Sequence, residues 1–266
     1  MRMAVFAKLP ASLLLLLLLL PDGAALENGL ARTPPMGTND WNSLAVGYAP
    51  WTKWGFNASA VLATARKLVD SGLKDLGYEY VNIDCGWSSG FRDAASGALV
   101  PNATLYPGGL AALTARLRAL GLKAGIYTSG TMCCGPKGAD DGIVGHEAAD
   151  VAQLAALGFE YLKNDDCGST TASFDAVRDL LLARAAAGQP VVHSIHTSFT
   201  HSGHAWPVAI DPAHARAVAN TFRTTKDIRN NVQTTMRLPP PLALSLTPPS
   251  SFLCLTVARR AGQSHH

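Results

Sequence analysis

The middle of the chain repeats one unit: an Ala/Leu-rich stretch, a glycine, then a short apolar run. The glycines are Gly77, Gly121, Gly158 and Gly188, each set where a helix ends in the left-handed conformation. The runs behind them read as strands at Tyr80 to Asp84, Lys123 to Thr128, Tyr161 to Asp165 and Val191 to Ile195. Thr33 to Asn39 and Asn220 to Thr224 add a first and a last strand. The stretches ahead of the glycines carry apolar residues three and four apart, the mark of a helix face packed on a core. Leu62, Ala65, Leu68 and Val69 form one stripe, with Ser59 as its expected cap. Leu110, Leu113, Leu117 and Leu120 form the next. Val151, Leu154, Ala155 and Leu157 form a third, and Val177, Leu180, Leu181 and Arg184 a shorter fourth. Helices alternating with buried strands imply parallel βα units. Units of about 30 to 45 residues fit both a doubly wound sheet and a closed eight-fold barrel. No GxGxxG follows the first strand, which counts against dinucleotide binding.

The ends differ from this middle. Arg2 and Lys8 precede an unbroken run from Leu13 to Leu20, followed by Pro21 and the small residues Gly23, Ala24 and Ala25. That pattern predicts a secretory signal peptide over residues 1–25, and a secreted or lumenal protein of the secretory, lysosomal or vacuolar pathway. The leucine run is short for a bilayer span, so no membrane association is expected once it is cleaved. Five cysteines (Cys85, Cys133, Cys134, Cys167 and Cys254) then read as disulfide formers with one thiol left over. Their spacing matches no metal motif, and no metal or cofactor is expected. Asn57-Ala-Ser59 and Asn102-Ala-Thr104 fit the N-glycosylation pattern. A net charge of +3 without a basic block gives no sign of a nucleic-acid partner, and none is expected. Past Met236 the prolines of Arg237-Leu-Pro-Pro-Pro-Leu and Thr247-Pro-Pro-Ser-Ser forbid a further helix, and residues 237–266 read as a disordered tail.

In parallel βα folds, chemistry gathers where strands end. Three of those ends supply a carboxylate: Asp84 in Asn82-Ile-Asp84-Cys-Gly-Trp87, Asp165 in Lys163-Asn-Asp165-Asp-Cys167, and Asp227 in Arg223-Thr-Thr-Lys-Asp227. Two carboxylates facing one pocket are the minimum for glycoside hydrolysis, one attacking the anomeric carbon and the other protonating the leaving oxygen. Trp87 reads as an aromatic that stacks on a sugar face. The competing reading gives each aspartate to a helix cap or a turn.

Several segments in this order resemble the α-galactosidase (melibiase) family of retaining glycoside hydrolases, from about Leu30 to Ile228. Thr33-Pro-Pro-Met-Gly37 with Asn39 and Trp41 resembles the family's opening TPPMGWNSW. Gly77-Tyr-Glu-Tyr-Val-Asn-Ile-Asp84 resembles the strand that carries its sugar-binding aspartates, and Gly121-Leu-Lys-Ala-Gly-Ile-Tyr127 resembles its third strand. Gly145-His-Glu147 and Tyr161-Leu-Lys163-Asn-Asp165-Asp-Cys167 resemble its GHE and YLKYDNC segments, and Arg223 to Ile228 its acid/base segment. The resemblance implies a (β/α)8 TIM-barrel type fold, incomplete at about six βα units over residues 26–236. It implies hydrolysis of terminal α-galactosyl residues, with Asp165 as nucleophile and Asp227 as acid/base. Asp84, Trp87, Lys163 and Arg223 match sugar-binding positions, and Cys167 matches a cysteine paired here with Cys134 or Cys133, Cys134 preferred.

The sequence also departs from the family. Thr38 replaces a tryptophan, Cys85 replaces the second of the paired aspartates, Asn164 replaces a tyrosine, and Asp166 replaces an asparagine. Alternation along a strand predicts that Asp165 and Asp166 face apart. His196, Thr197 and Ser198 stand where the family often has Cys-Glu-Trp, a region that recognises the sugar. The family's last two barrel strands and its β-domain have no counterpart here, and a truncated or mis-spliced reading frame is the expected cause. The alternatives to an active α-galactosidase are an inactive carbohydrate-binding fragment and an exoglycosidase for another sugar.

Overall fold

The computed structural model describes residues 26–41, 57–131, 138–196 and 212–223. The expected signal peptide, Cys133, Cys134, Cys254, Asp227 and the proline-rich end lie outside the described residues.

Six strands form one parallel sheet: β1 (Met36–Asn39), β2 (Tyr78–Ile83), β5 (Lys123–Ser129), β6 (Phe159–Asp165), β7 (Val192–Ile195) and β8 (Thr221–Phe222). β3 (Ser88–Arg92) and β4 (Leu99–Pro101) make a separate antiparallel hairpin between β2 and the next helix. The six-stranded order is β1-β2-β5-β6-β7-β8, so each strand joins beside the one before it in the chain. A doubly wound sheet reverses direction at a switch point. This sheet does not, and the choice left open by unit length falls to the singly wound, barrel-type arrangement. The register between β5 and β6 places Tyr127 beside Lys163 and Ser129 beside Asp165.

The helices are α1 (Ala58–Asp70), α2 (Gly109–Ala119), α3 (Glu147–Ala156), α4 (Thr171–Ala186) and α5 (Pro212–Val218). The predicted stripes are their inner faces. Leu62, Ala65 and Leu68 of α1, Leu110, Leu113 and Leu117 of α2, and Val151 and Leu154 of α3 join a core with Val81, Ile83, Ile126 and Leu162 of the sheet. Each such leucine taken from water contributes roughly 2 kcal/mol. The four glycines end their units with φ between 71 and 95°, the region that a side chain disfavours.

Some boundaries differ from those expected. The first strand begins at Met36 rather than Thr33, because Pro34 and Pro35 have no N–H to give the ladder. Asn57, not Ser59, caps α1: its extended backbone aims Oδ1 at the Ala60 N–H, 3.0 Å away. The hairpin is an addition to the expected plan. Asp93 accepts from the N–H and hydroxyl of Ser96 at its turn. Arg92 then fastens it to α3 through both carboxylate oxygens of Asp150, at 2.7 and 2.8 Å. Among the described residues no helix is long and apolar enough to cross a membrane.

Candidate active site

The parallel ladder brings Asp84, Lys163, Asp165, His196 and Arg223 to one end of the sheet. Asp84 follows β2 directly, Asp165 is the last residue of β6, His196 follows β7 and Arg223 follows β8. Backbone bonds carry the alignment past the strands. The His196 N–H donates to Asn164 O at 3.0 Å, and the Arg223 N–H donates to Ile195 O at 3.1 Å.

Asp84 is buried, and its carboxylate is fully engaged. Lys163 Nζ and Asn39 Nδ2 each donate to its Oδ2 at 2.7 Å, and the Cys85 N–H donates to its Oδ1. Asp40 lies behind it and accepts the Asp84 N–H at 2.7 Å. Burial, helped by the nearby Asp84 charge, pushes the Asp40 carboxyl up to about 7. Asn39, the last residue of β1, and Asp40 just after it therefore support Asp84. The signal for Asn39 was its place in the opening motif, whereas nothing in the sequence marked Asp40.

Lys163 links Asp84 to Asp165: its Nζ is 3.9 Å from Asp165 Oδ2 and 5.0 Å from the centre of the Tyr127 ring. Burial works against its charge, but the two carboxylates outweigh burial and hold its pKa above the ordinary lysine value. Burial pushes Asp165 up, and the bond from His196 with the pull of Lys163 outweighs it, leaving this carboxyl well below the usual range. Asp165 is thus ionised, as a nucleophilic carboxylate has to be. The buried Tyr127 beside it has a hydroxyl pushed well above its ordinary pKa by burial and then by the Asp165 charge.

His196 Nδ1 lies 2.5 Å from Asp165 Oδ1 and 3.5 Å from Asp166 Oδ1. Arg223 Nη1 stands 3.4 Å from the same ring nitrogen. Asp165 and Asp166 therefore do not face apart. Asp166 lies past the end of β6, where strand alternation no longer applies, and both carboxylates turn toward His196. Asp165, Asp166 and His196 each offer an atom within 4.8 Å of the others, a grouping that sequence spacing gave no sign of. Three such ligands could in principle hold a cation. The Lys163 ammonium and the Arg223 guanidinium already supply positive charge there, which opposes a dication by Coulomb repulsion.

Trp87 corrects an expectation. It is 3% exposed, belongs to the main core, and its Nε1–H donates to Tyr127 O at 2.8 Å. A ring so enclosed cannot stack on a sugar; it supports β5 beneath the site. Cys85 and Cys167 are both disulfide-bonded, and the pairing expected for Cys167 with Cys134 falls outside the described residues. So does Asp227.

A family model described as alpha galactosidase A matches residues 33–239. The α-galactosidase of Cyamopsis tetragonoloba is 34% identical over 207 residues, which cover 77% of this chain and 46% of that protein. The α-galactosidase of Oryza sativa subsp. japonica is 36% identical over 209 residues, covering 78% and 46%. Among solved structures, the Saccharomyces cerevisiae α-galactosidase has a TM-score of 0.64 at 28% identity, over 78% of this chain and 42% of that one. Mortierella vinacea α-galactosidase I has a TM-score of 0.62 at 30% identity, over 81% and 50%. The chain spans about half the length of the curated relatives it matches. Its six parallel strands correspond to a half-barrel of these TIM-barrel structures. On the length of the family match and on these identities, the chain belongs to the alpha galactosidase A (melibiase) family.

Proposed function

We propose that this chain hydrolyses terminal non-reducing α-galactosyl residues of oligosaccharides or glycoconjugates by retaining double displacement. The observation that carries the reading is the ionised Asp165 at the end of β6, flanked by Lys163 and hydrogen-bonded by His196. In the first step Asp165 attacks the anomeric carbon while the bond to the leaving oxygen breaks and Asp227 gives that oxygen its proton. In the second, Asp227 takes a proton from water, the water oxygen attacks the anomeric carbon, and the Asp165 ester bond breaks. Two inversions give net retention. Asp227 enters through its position in the family motif. Lys163 and Arg223 are the sugar-binding groups in this scheme, and Asp84, as buried as Trp87 and already holding three donors, holds the Lys163 ammonium in place.

A second reading, an exoglycosidase for a different sugar, is favoured by Cys85. It stands where the family has a second sugar-binding aspartate, and a disulfide-bonded sulfur, a weak acceptor, replaces a carboxylate's strong acceptor oxygens. We further propose a secretory-pathway location. The basic, leucine-rich start supports it, as do the disulfide-bonded Cys85 and Cys167, since such bonds persist in oxidising compartments.

The test is turnover of an aryl α-galactoside and of melibiose by the full chain, beside an aryl α-glucoside. Release of galactose, lost in Asp165→Asn, is the expected result. Release from the glucoside alone selects the second reading, and no release from any substrate overturns both.

A further inference from the structure

We propose that His196 is the positioning residue of the nucleophile, holding Asp165 Oδ1 so that Oδ2 is the attacking oxygen. The inference rests on the reading of Asp165 as nucleophile. Asp165 Oδ1 carries two donors: His196 Nδ1 at 2.5 Å and the Asp166 N–H at 3.0 Å. Asp165 Oδ2 has instead Lys163 Nζ at 3.9 Å, beyond hydrogen-bond length. Because an ionised carboxylate only accepts, the proton in the short contact belongs to His196 Nδ1. The terminal torsion of an aspartate is soft, and a single donor leaves its two oxygens free to exchange. Two donors on one oxygen remove that freedom.

The backbone keeps the imidazole in place. His196 is held to β6 by its N–H bond to Asn164 O, and the β7 side of the ladder is held to β8 by the Arg223 N–H. The charged groups around the ring are Asp165 and Asp166 after β6 and Arg223 after β8, with Lys163 and Asp84 next beyond them. Asp166 Oδ1, at 3.5 Å, is too far to take the Nδ1 proton from Asp165.

This arrangement acts unequally on the two steps. When the ester bond to Oδ2 forms, Oδ1 becomes its carbonyl oxygen and loses negative charge. When that bond breaks, the charge returns to the carboxylate and the His196 bond strengthens. Interactions that strengthen toward the transition state accelerate a step. His196 therefore serves chiefly the departure of Asp165 from the sugar.

The experiment is rapid-quench kinetics with an activated aryl α-galactoside, on wild type, His196→Ala and His196→Asn. In His196→Ala kcat falls on the order of 10²-fold, the loss typical of one preorganised donor. KM falls with it, kcat/KM changes by less than about tenfold, and an Asp165 ester one anhydrohexose heavier accumulates on intact mass measurement. His196→Asn, whose amide can donate from near the Nδ1 position, recovers most of the loss. Unchanged kcat, or a loss confined to kcat/KM without ester, overturns the proposal. A second measurement needs no turnover: the far-downfield Nδ1 proton of His196 in the wild-type NMR spectrum. It is expected to vanish in Asp165→Ala and to persist in Asp166→Asn; the reverse overturns it. Wild type that forms no ester and releases no sugar removes the nucleophile reading instead, and the proton resonance alone then decides the His196 contact.

Discussion

Trp87 reads from its position after Asp84 as a platform for a sugar face, and its burial reverses that reading. Its indole serves the fold by donating to Tyr127 O in β5, the strand alongside Lys163 and Asp165. Trp87→Phe keeps much of the ring volume and leaves that carbonyl unsatisfied, at a cost of about 1–3 kcal/mol. Urea unfolding should register that loss, whereas KM for an aryl α-galactoside should move by less than about twofold, because binding is not what the ring supplies. A large rise in KM with unchanged stability would restore the stacking role. Asp84, Lys163 and Asp165 were legible because strand ends in parallel folds gather chemistry, and the ladder brings all three together. His196 was visible only as a departure from the family's residues. Its contact with Asp165 spans 31 positions in sequence and exists only once β6 and β7 pair.

The helices, glycines and strands were legible as elements because their apolar spacing and left-handed stops are local properties. The β3–β4 hairpin was not, since its strands are short and its anchor is distant. Arg92 is 8% exposed and Asp150 1%, so their bidentate pair is shielded from water and spans 58 residues. Burial raises the Asp150 carboxyl and the guanidinium opposes it, with burial the stronger influence. Asp150→Ala strands a buried guanidinium and should cost about 3–5 kcal/mol, whereas the double change Arg92→Met with Asp150→Leu, apolar on both sides, should recover most of it. Thermal unfolding of the single and double variants reads this directly; equal losses in both would mean that packing, and not the unpaired charge, sets the cost.

Across the whole molecule, two buried groups toward opposite edges of the sheet oppose each other as pH changes. Burial lowers His193, on β7, to about 4, and its Nδ1–H donates to Val218 O. From pH 6.5 down to 4 the unfolded chain takes up a proton that the folded His193 refuses, so about 3 kcal/mol of stability is lost as pH falls. Asp40, raised to about 7, acts in the other direction. Its folded carboxyl keeps a proton that the unfolded chain releases above 3.8, so its contribution is full below that pH and is lost, by about 4 kcal/mol, as pH rises to 7. Between pH 4 and 6.5 these two contributions nearly cancel, and the raised Asp150 and Asp141 add to the Asp40 direction, so the wild type should show no net loss of stability as pH falls through that range. Asp40→Asn should expose the His193 slope, losing up to about 3 kcal/mol between pH 7 and 4 in urea unfolding; the same loss in wild type would contradict the opposition. Working above pH 4 keeps the strongly ionised Asp165 out of the comparison. By itself the sequence determined the βα units, the four glycine stops, the family and the carboxylates at strand ends, because each depends on neighbours within a few residues or on an ordered motif. Only the tertiary structure decided the single winding of the sheet, the burial of Trp87, the support of Asp84 by Asn39 and Asp40, and the meeting of Asp165 with His196. Those depend on which strand lies beside which, and strand order is fixed by how the helices pack to bury their apolar faces.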